Sequence, residues 1–124
     1  MKIERFEDIL TWQKAKELTK DVYLFLKENR DYGFKDQIQR ASVSVMNNIA
    51  EGFERKSDAE FSQFLYIAKG SCGEVRSMLV LAQELDYIPK GKAHKLLAET
   101  EQISKMLSNF IKTLNKRPHQ PPTL

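Results

Sequence analysis

Seven residues spaced alternately four and three apart, Phe61, Leu65, Ala68, Cys72, Val75, Leu79 and Ala82, constrain this chain more than any other feature. That rhythm keeps its members on one face of an α-helix, and sustained over six turns it is the seam of a bundle or coiled coil. A second stripe of the same rhythm runs beside it: Phe64, Ile67, Ser71, Glu74, Met78, Leu81 and Leu85. The helix is therefore apolar over more than one face and needs neighbours on more than one side. Its start is legible too. Ser57 stands three residues before Glu60, the capping-box distance, and the helix is predicted to run from there to about Leu85.

Three further helices follow from the same reasoning. The first is predicted from about Thr11 to Glu28, with Trp12, Ala15, Leu18, Thr19, Val22, Tyr23, Phe25 and Leu26 on its buried face. Asn29 to Gly33 is the break, and Gly33 is expected to supply the positive φ that often ends a helix. The second is predicted from about Phe34 to Phe53, with Gly52 marking its end. Phe34, Ile38, Ala41, Val45 and Ile49 form one apolar side, extended by Val43, Met46, Ala50 and Phe53. Asp86 to Pro89 is a compact connector, with Pro89 suited to the first turn of the last helix. That helix is predicted to reach about Asn115 on a seam of Leu96, Thr100, Ile103, Leu107, Phe110 and Leu114.

Four helices joined by short connections pack antiparallel to their neighbours, so the expected fold is all-α, an antiparallel up-down-up-down four-helix bundle over residues 1–117. Residues 118–124 are expected to be a disordered tail. At 124 residues the chain buries a core without needing disulfides or a structural metal. Five Gly and four Pro leave little material for a turn-rich β fold. No repeat of about 20 to 50 residues argues for a solenoid. The single Cys72 has no intramolecular partner, and no signal-peptide pattern opens the chain, which points to a reducing cytoplasm. No stretch approaches the roughly 20 apolar residues that would span a bilayer.

Catalytic chemistry is poorly supplied. The histidines are His94 and His119, neither follows a Glu at the spacing of di-iron bundles, and no Arg precedes His94 closely. No metal and no cofactor is expected. Gly70-Ser71-Cys72-Gly73 lies inside the strongest helical pattern and lacks the Lys and hydroxyl of a phosphate loop. Each of these helix-interior glycines costs about 1 kcal/mol against Ala. The small-sided patch that they make with Ala68, Ser71 and Cys72 is thus expected to receive another helix at close range, first from the same chain and otherwise from a second subunit.

Helix two also carries Gln37, Arg40, Ser44, Asn47, Asn48 and Glu51 on one polar arc. Short amides and hydroxyls in place of Lys and Glu suggest groups satisfied by one another. A structural network is expected around Asn48, Glu51, Ser71 and Glu74. Glu51 and Glu74 are also the best acid-base candidates were the protein an enzyme, a reading without support from any pocket or cofactor motif.

The net charge is +3, from 20 basic and 17 acidic side chains, and the pI near 9.0 meets a minimal criterion for nucleic-acid binding. Solubility alone asks for a similar surplus. The basic residues group at Arg55-Lys56, at Lys90-Lys92-Lys95 and at Lys112-Lys116-Arg117. The loop between helices two and three and the end of helix four are not expected to share one end of the bundle, so each group reads first as solvated surface. Oligomerisation would multiply a modest patch into a stronger field.

Several segments together resemble a known family: Phe6-Glu7-Asp8-Ile9-Leu10-Thr11-Trp12-Gln13-Lys14-Ala15, Gln37-Ile38-Gln39-Arg40-Ala41, Asn48-Ile49-Ala50-Glu51-Gly52-Phe53, and Phe64-Leu65-Tyr66-Ile67-Ala68-Lys69-Gly70-Ser71 with Glu74. They resemble the four-helix-bundle family of open reading frames in 23S rRNA intervening sequences, from Phe6 to about Leu114. The resemblance implies a homo-oligomer, typically a pentameric ring. It also implies a relation to the accessory variability determinant of diversity-generating retroelements, which binds nucleic acid and a reverse transcriptase through a positive surface. The expected function is a non-enzymatic oligomer that binds RNA or DNA backbone. Arg40, Arg55, Lys56, Arg76, Lys112, Lys116 and Arg117 are the candidate phosphate contacts. The alternative is a protein-interaction or scaffold module with no nucleic-acid role.

Overall fold

The computed structural model describes residues 3–117. A short 3-10 helix, Phe6–Asp8, leads into four α-helices: α1 (Leu10–Phe25), α2 (Tyr32–Phe53), α3 (Asp58–Glu84) and α4 (Lys90–Lys116). There is no strand among the described residues. The residues 118–124 assigned to a tail lie outside that range. Among the described residues no helix is long and apolar enough to cross a membrane.

The seam of α3 is buried throughout, from Phe61 to Ala82. Around it, Leu18 and Val22 of α1 with Leu26 just past its end, Ile38, Val45 and Ile49 of α2, and Leu96, Ile103 and Leu107 of α4 are fully buried. Each set follows the three-and-four spacing that turns one stripe of a helix inward. The 3-10 helix closes one end, with Phe6 edge-on to Trp12 at a ring separation of 5.1 Å and Ile9 buried between them and the core.

Side-chain pairs show the sense of neighbouring helices. Between α2 and α3, Gln37 meets Glu74, Ser44 meets Ser71 and Phe53 meets Phe61. Between α3 and α4, Ser62 meets Asn115, Arg76 meets Glu101 and Gln83 meets His94. Between α1 and α4, Asp21 meets Lys95 and Phe25 meets Lys92. In each pair, numbers rise on one helix as they fall on the other.

The helix ends depart from expectation in instructive ways. α1 stops at Phe25, short of Glu28, because the chain tightens: the Lys27 N–H turns to the Leu24 carbonyl and that of Asn29 to Leu26. α2 then starts at Tyr32, two residues early, because the Asp31 carboxylate accepts the Phe34 N–H at 3.2 Å and caps it. Gly33 consequently sits in the first helical turn and has no positive φ. The left-handed residue is Asp86, at φ 56°. There the Tyr87 N–H reaches back to the Ala82 carbonyl at 2.9 Å and the Asp86 N–H to Gln83 at 3.2 Å, a Schellman closure with Asp in the position glycine usually fills. Pro89 is the N-cap of α4, one residue before the turn expected for it. The Ser57 cap is as expected, its hydroxyl accepting the Glu60 N–H at 3.2 Å.

Two glycine readings change. Gly52 does lie near the end of α2, but it is buried, and a Cβ there would stand 2.8 Å from both Phe61 Cδ1 and Phe64 Cβ. It is the close-approach glycine. Gly70 and Gly73, expected to admit a helix of the same chain, have nothing within 4 Å of an added Cβ. They face outward, because the seam residues Ala68, Cys72 and Val75 already turn the opposite side of α3 into the core.

Candidate nucleic-acid interface

The polar arc of α2 meets α3 along a line of hydroxyls and amides. Ser44 Oγ and Ser71 Oγ are 2.9 Å apart, and Asn48 Nδ2 donates to the Ser44 carbonyl at 2.8 Å and to its hydroxyl at 3.0 Å. Gln37 Nε2 donates to Glu74 Oε2 at 3.3 Å. The Ser44, Ser71 and Asn48 bonds satisfy half-buried groups that would each be costly to leave unpaired, whereas Gln37 and Glu74 are exposed. The structure thus brings Asn48, Ser71 and Glu74 onto one seam but leaves Glu51 outside it. Glu51 is exposed one helical turn beyond Asn48, on the solvent side of α2. Arg40 is turned away as well, pairing with Asp36 at 3.1 Å along its own helix.

Next to this seam the second stripe of α3 remains open. Ile67 is 52% exposed, Leu81 45% and Leu85 46%, and Tyr66 beside them is 58% exposed. With Gly70 and Gly73 between them, these residues form a small-sided strip about 29 Å long at 1.5 Å per helical residue, apolar at both ends and interrupted in the middle by exposed Glu74 and Ser77. Nothing among the described residues covers it.

The candidate phosphate contacts divide into two sets. Arg117 Nε lies 3.1 Å from Asp58 Oδ2, Ser62 Oγ donates to Asn115 Oδ1, and the rings of Phe61 and Phe110 are 5.1 Å apart. The end of α4 therefore lies against the start of α3. This corrects the expectation that the α2–α3 loop and the α4 terminus occupy different ends, since two helices running in opposite senses bring the start of one to the end of the other. Arg55, Lys56, Lys112, Lys116 and Arg117 gather at that end. Arg55 lies 4.6 Å above the Phe64 ring, which positions its guanidinium without neutralising it. Asp58 and Glu60 in the first turn of α3 offset this charge, as do Glu51 and Glu54 at the end of α2 and Glu7 and Asp8 in the 3-10 helix.

Arg40 and Arg76 belong to the other set. Both lie away from this end, and Arg76 pairs with Glu101 at 3.0 Å as Arg40 does with Asp36. Lys92 and Lys95 lie towards the opposite end, over the Phe25 ring and beside Asp21. One basic residue escaped the sequence reading. Lys105 is exposed on the face of α4 that carries Lys112 and Lys116, and α4 has no acidic residue after Glu101. That acid-free run was the available signal.

Other chemistry is sparse. Among the described residues no group of three or more His, Cys, Asp or Glu could hold a metal ion. His94 is exposed, its Nε2 3.4 Å from the Gln83 amide nitrogen. Cys72 is buried, donates to the Thr100 carbonyl, and burial pushes its thiol up to about 11, which removes the thiolate that reactivity needs.

The geometry defines a class: a four-helix, all-α protein with basic residues gathered at one end and one helix face left uncovered. The sequence matches the family described as 23S rRNA-intervening sequence protein over residues 7–109, and the chain belongs to that family. Among solved structures it is similar to a protein of unknown function from the S23 ribosomal protein family of Bacteroides thetaiotaomicron. The two share 27% identity and a TM-score of 0.78, over 83% of this chain and 99% of that one. No curated protein matches it.

Proposed function

We propose that this protein is a non-enzymatic homo-oligomer that binds the backbone of RNA or DNA through its basic end. The observation that carries the proposal is the Asp58–Arg117 contact of 3.1 Å, which joins the end of α4 to the α2–α3 loop and so turns two weak charge groups into one. Phosphate binding needs such convergence, because each lysine or arginine neutralises one phosphate and the gain comes from counterions released together. Membership of a family of rRNA intervening-sequence proteins supports a nucleic-acid partner. The relation to the accessory determinant of retroelements that the family resemblance implies points the same way.

The oligomer is the second half of the proposal. An up-down-up-down bundle spends one stripe of each helix on its core, and the pairs of opposite sense described above support that arrangement. The remaining apolar strip of α3 is then available to another copy, in a ring that repeats the basic end around one axis. A pentamer is the size we expect, in the cytoplasm. The same strip also favours a second reading, a scaffold that captures a protein and ignores nucleic acid.

Light scattering on the purified protein, alone and with mixed-sequence RNA, separates these readings. The proposal expects a species near five chains that gains mass with RNA at low salt and loses it at high salt. An oligomer indifferent to RNA at both salts would favour the scaffold. A monomer would remove the ring from both.

A further inference from the structure

Outside the basic end, one cluster of ionisable groups has no part in the proposed function. Lys14, Glu17 and Asp21 of α1 lie three and four residues apart and face Lys95, Glu99 and Gln102 of α4 across a cleft of about 350 Å³. Three carboxylates thus meet two ammonium groups where α1 closes against α4. The charges are not evenly matched. Lys95 lies 3.8 Å from Asp21, Glu17 is drawn outward to Lys16 at 3.9 Å, and Glu99 is left over: its Oε2 is buried and has no hydrogen-bond partner among the described residues. A buried carboxylate oxygen without a partner is costly when charged and much less so when neutral.

We propose that Glu99 is a proton-operated latch on the α1–α4 seam, closed while its carboxyl is neutral and released when it ionises. Every charged group facing it acts on that proton. Burial and the neighbouring Asp21 carboxylate disfavour the charged form of Glu99, and Glu17 adds to them more weakly. Lys95 and Lys14 favour the charged form without cancelling the rest, so the Glu99 carboxyl lies above the usual glutamate range. The folded chain therefore holds this proton more tightly than the unfolded chain does. Its stabilising effect is complete below the ordinary glutamate value and is lost as pH rises through the folded one. Release acts on α1 and leaves the α2–α3 and α3–α4 seams closed, because the cleft is lined by α1 and α4 alone.

The test follows amide hydrogen exchange and thermal unfolding of the full chain between about pH 4 and pH 8, with exchange corrected for its intrinsic pH dependence. In the native protein the amides of α1 are expected to open more as pH rises, by up to about tenfold per pH unit across the window, the limit for one proton. In Glu99→Gln the dependence disappears, and α1 is better protected than in the native protein at the upper pH. Asp21→Asn, which keeps Glu99 but removes the carboxylate facing it, should shift the window to lower pH and serves as the test if the first variant does not fold. Equal pH dependence in the native protein and in the variant that folds would overturn the proposal. So would opening spread evenly over α2 and α3.

Discussion

A single hydrogen atom at Gly52 lets the end of α2 approach the start of α3, since an added Cβ would meet Phe61 Cδ1 and Phe64 Cβ at 2.8 Å. Phe64 Cβ is tied to its own backbone and cannot swing away. Gly52→Ala should therefore destabilise the fold by about 1–3 kcal/mol, the usual cost of overpacking, despite the better helix propensity of Ala. Urea unfolding measures this directly. Asp86 offers the opposite case: its φ of 56° costs an L-residue what glycine does not suffer, so Asp86→Gly should stabilise by roughly 1 kcal/mol or less. Asp31 is held below the usual carboxylate range by the Tyr87 hydroxyl, which donates to it at 2.7 Å, and by the Phe34 N–H. Its contribution is present above the ordinary Asp value and lost as pH falls through the folded one. Tyr87→Phe should thus make acid unfolding of the chain less steep, as followed by circular dichroism. What the sequence revealed here was strictly local. Ser57 and Glu60 belong to one turn and were legible, whereas Gly52 meets rings on the next helix, and the Asp31 cap moved the helix start so that Gly33 had no turn to make.

At the scale of the helix, α3 shows both what periodicity reveals and where it stops. The seam from Phe61 to Ala82 was readable because a repeated four-and-three spacing allows one inward face and no other. The fate of the second stripe was not, because spacing tells which residues share a face and says nothing of what covers it. Phe64, Ser71 and Met78 are half-buried on that stripe, while Ile67, Leu81 and Leu85 stay exposed beside Gly70 and Gly73. This openness yields a paired prediction. Replacing both glycines by Ala meets no atom within 4 Å, and each substitution should stabilise the helix by about 1 kcal/mol where it stands in solvent. If α3 is the face that a second copy covers, the same double variant raises the unfolding midpoint at high dilution and lowers the mass of the assembly at higher concentration. Unchanged mass with raised stability would assign the glycines to solvent and the interface to another face.

For the whole molecule, the feature that matters is which ends meet. The charge groups were visible in the sequence, and so was the alternation of helices. What joins the two is connectivity, which no single segment displays: α4 runs opposite to α3, so its end returns to the loop between the second and third helices. The pairs Asp58 with Arg117 and Ser62 with Asn115 record that return. By position they divide the seven cations named from the sequence into five at the shared end, of which Arg117 is paired with Asp58, and two, Arg40 and Arg76, that lie away from it and pair with Asp36 and Glu101. Nucleic-acid binding that depends on this convergence makes the two sets unequal. Changing Arg55, Lys56, Lys112 and Lys116 to Gln should lower the affinity for RNA at low salt by at least about tenfold and flatten the slope of log affinity against log salt, by close to one unit for each phosphate no longer neutralised. Arg40→Gln with Arg76→Gln removes half as many charges, yet it should leave the slope where it was, because those two guanidinium groups lie away from the shared end. Filter binding across a salt series, with Lys105→Gln added to the first set, would also show whether the acid-free half of α4 extends the surface. A weakening that tracks only the number of charges removed, whichever set they come from, would mean that the protein attracts RNA by net charge and that the shared end has no special part in it.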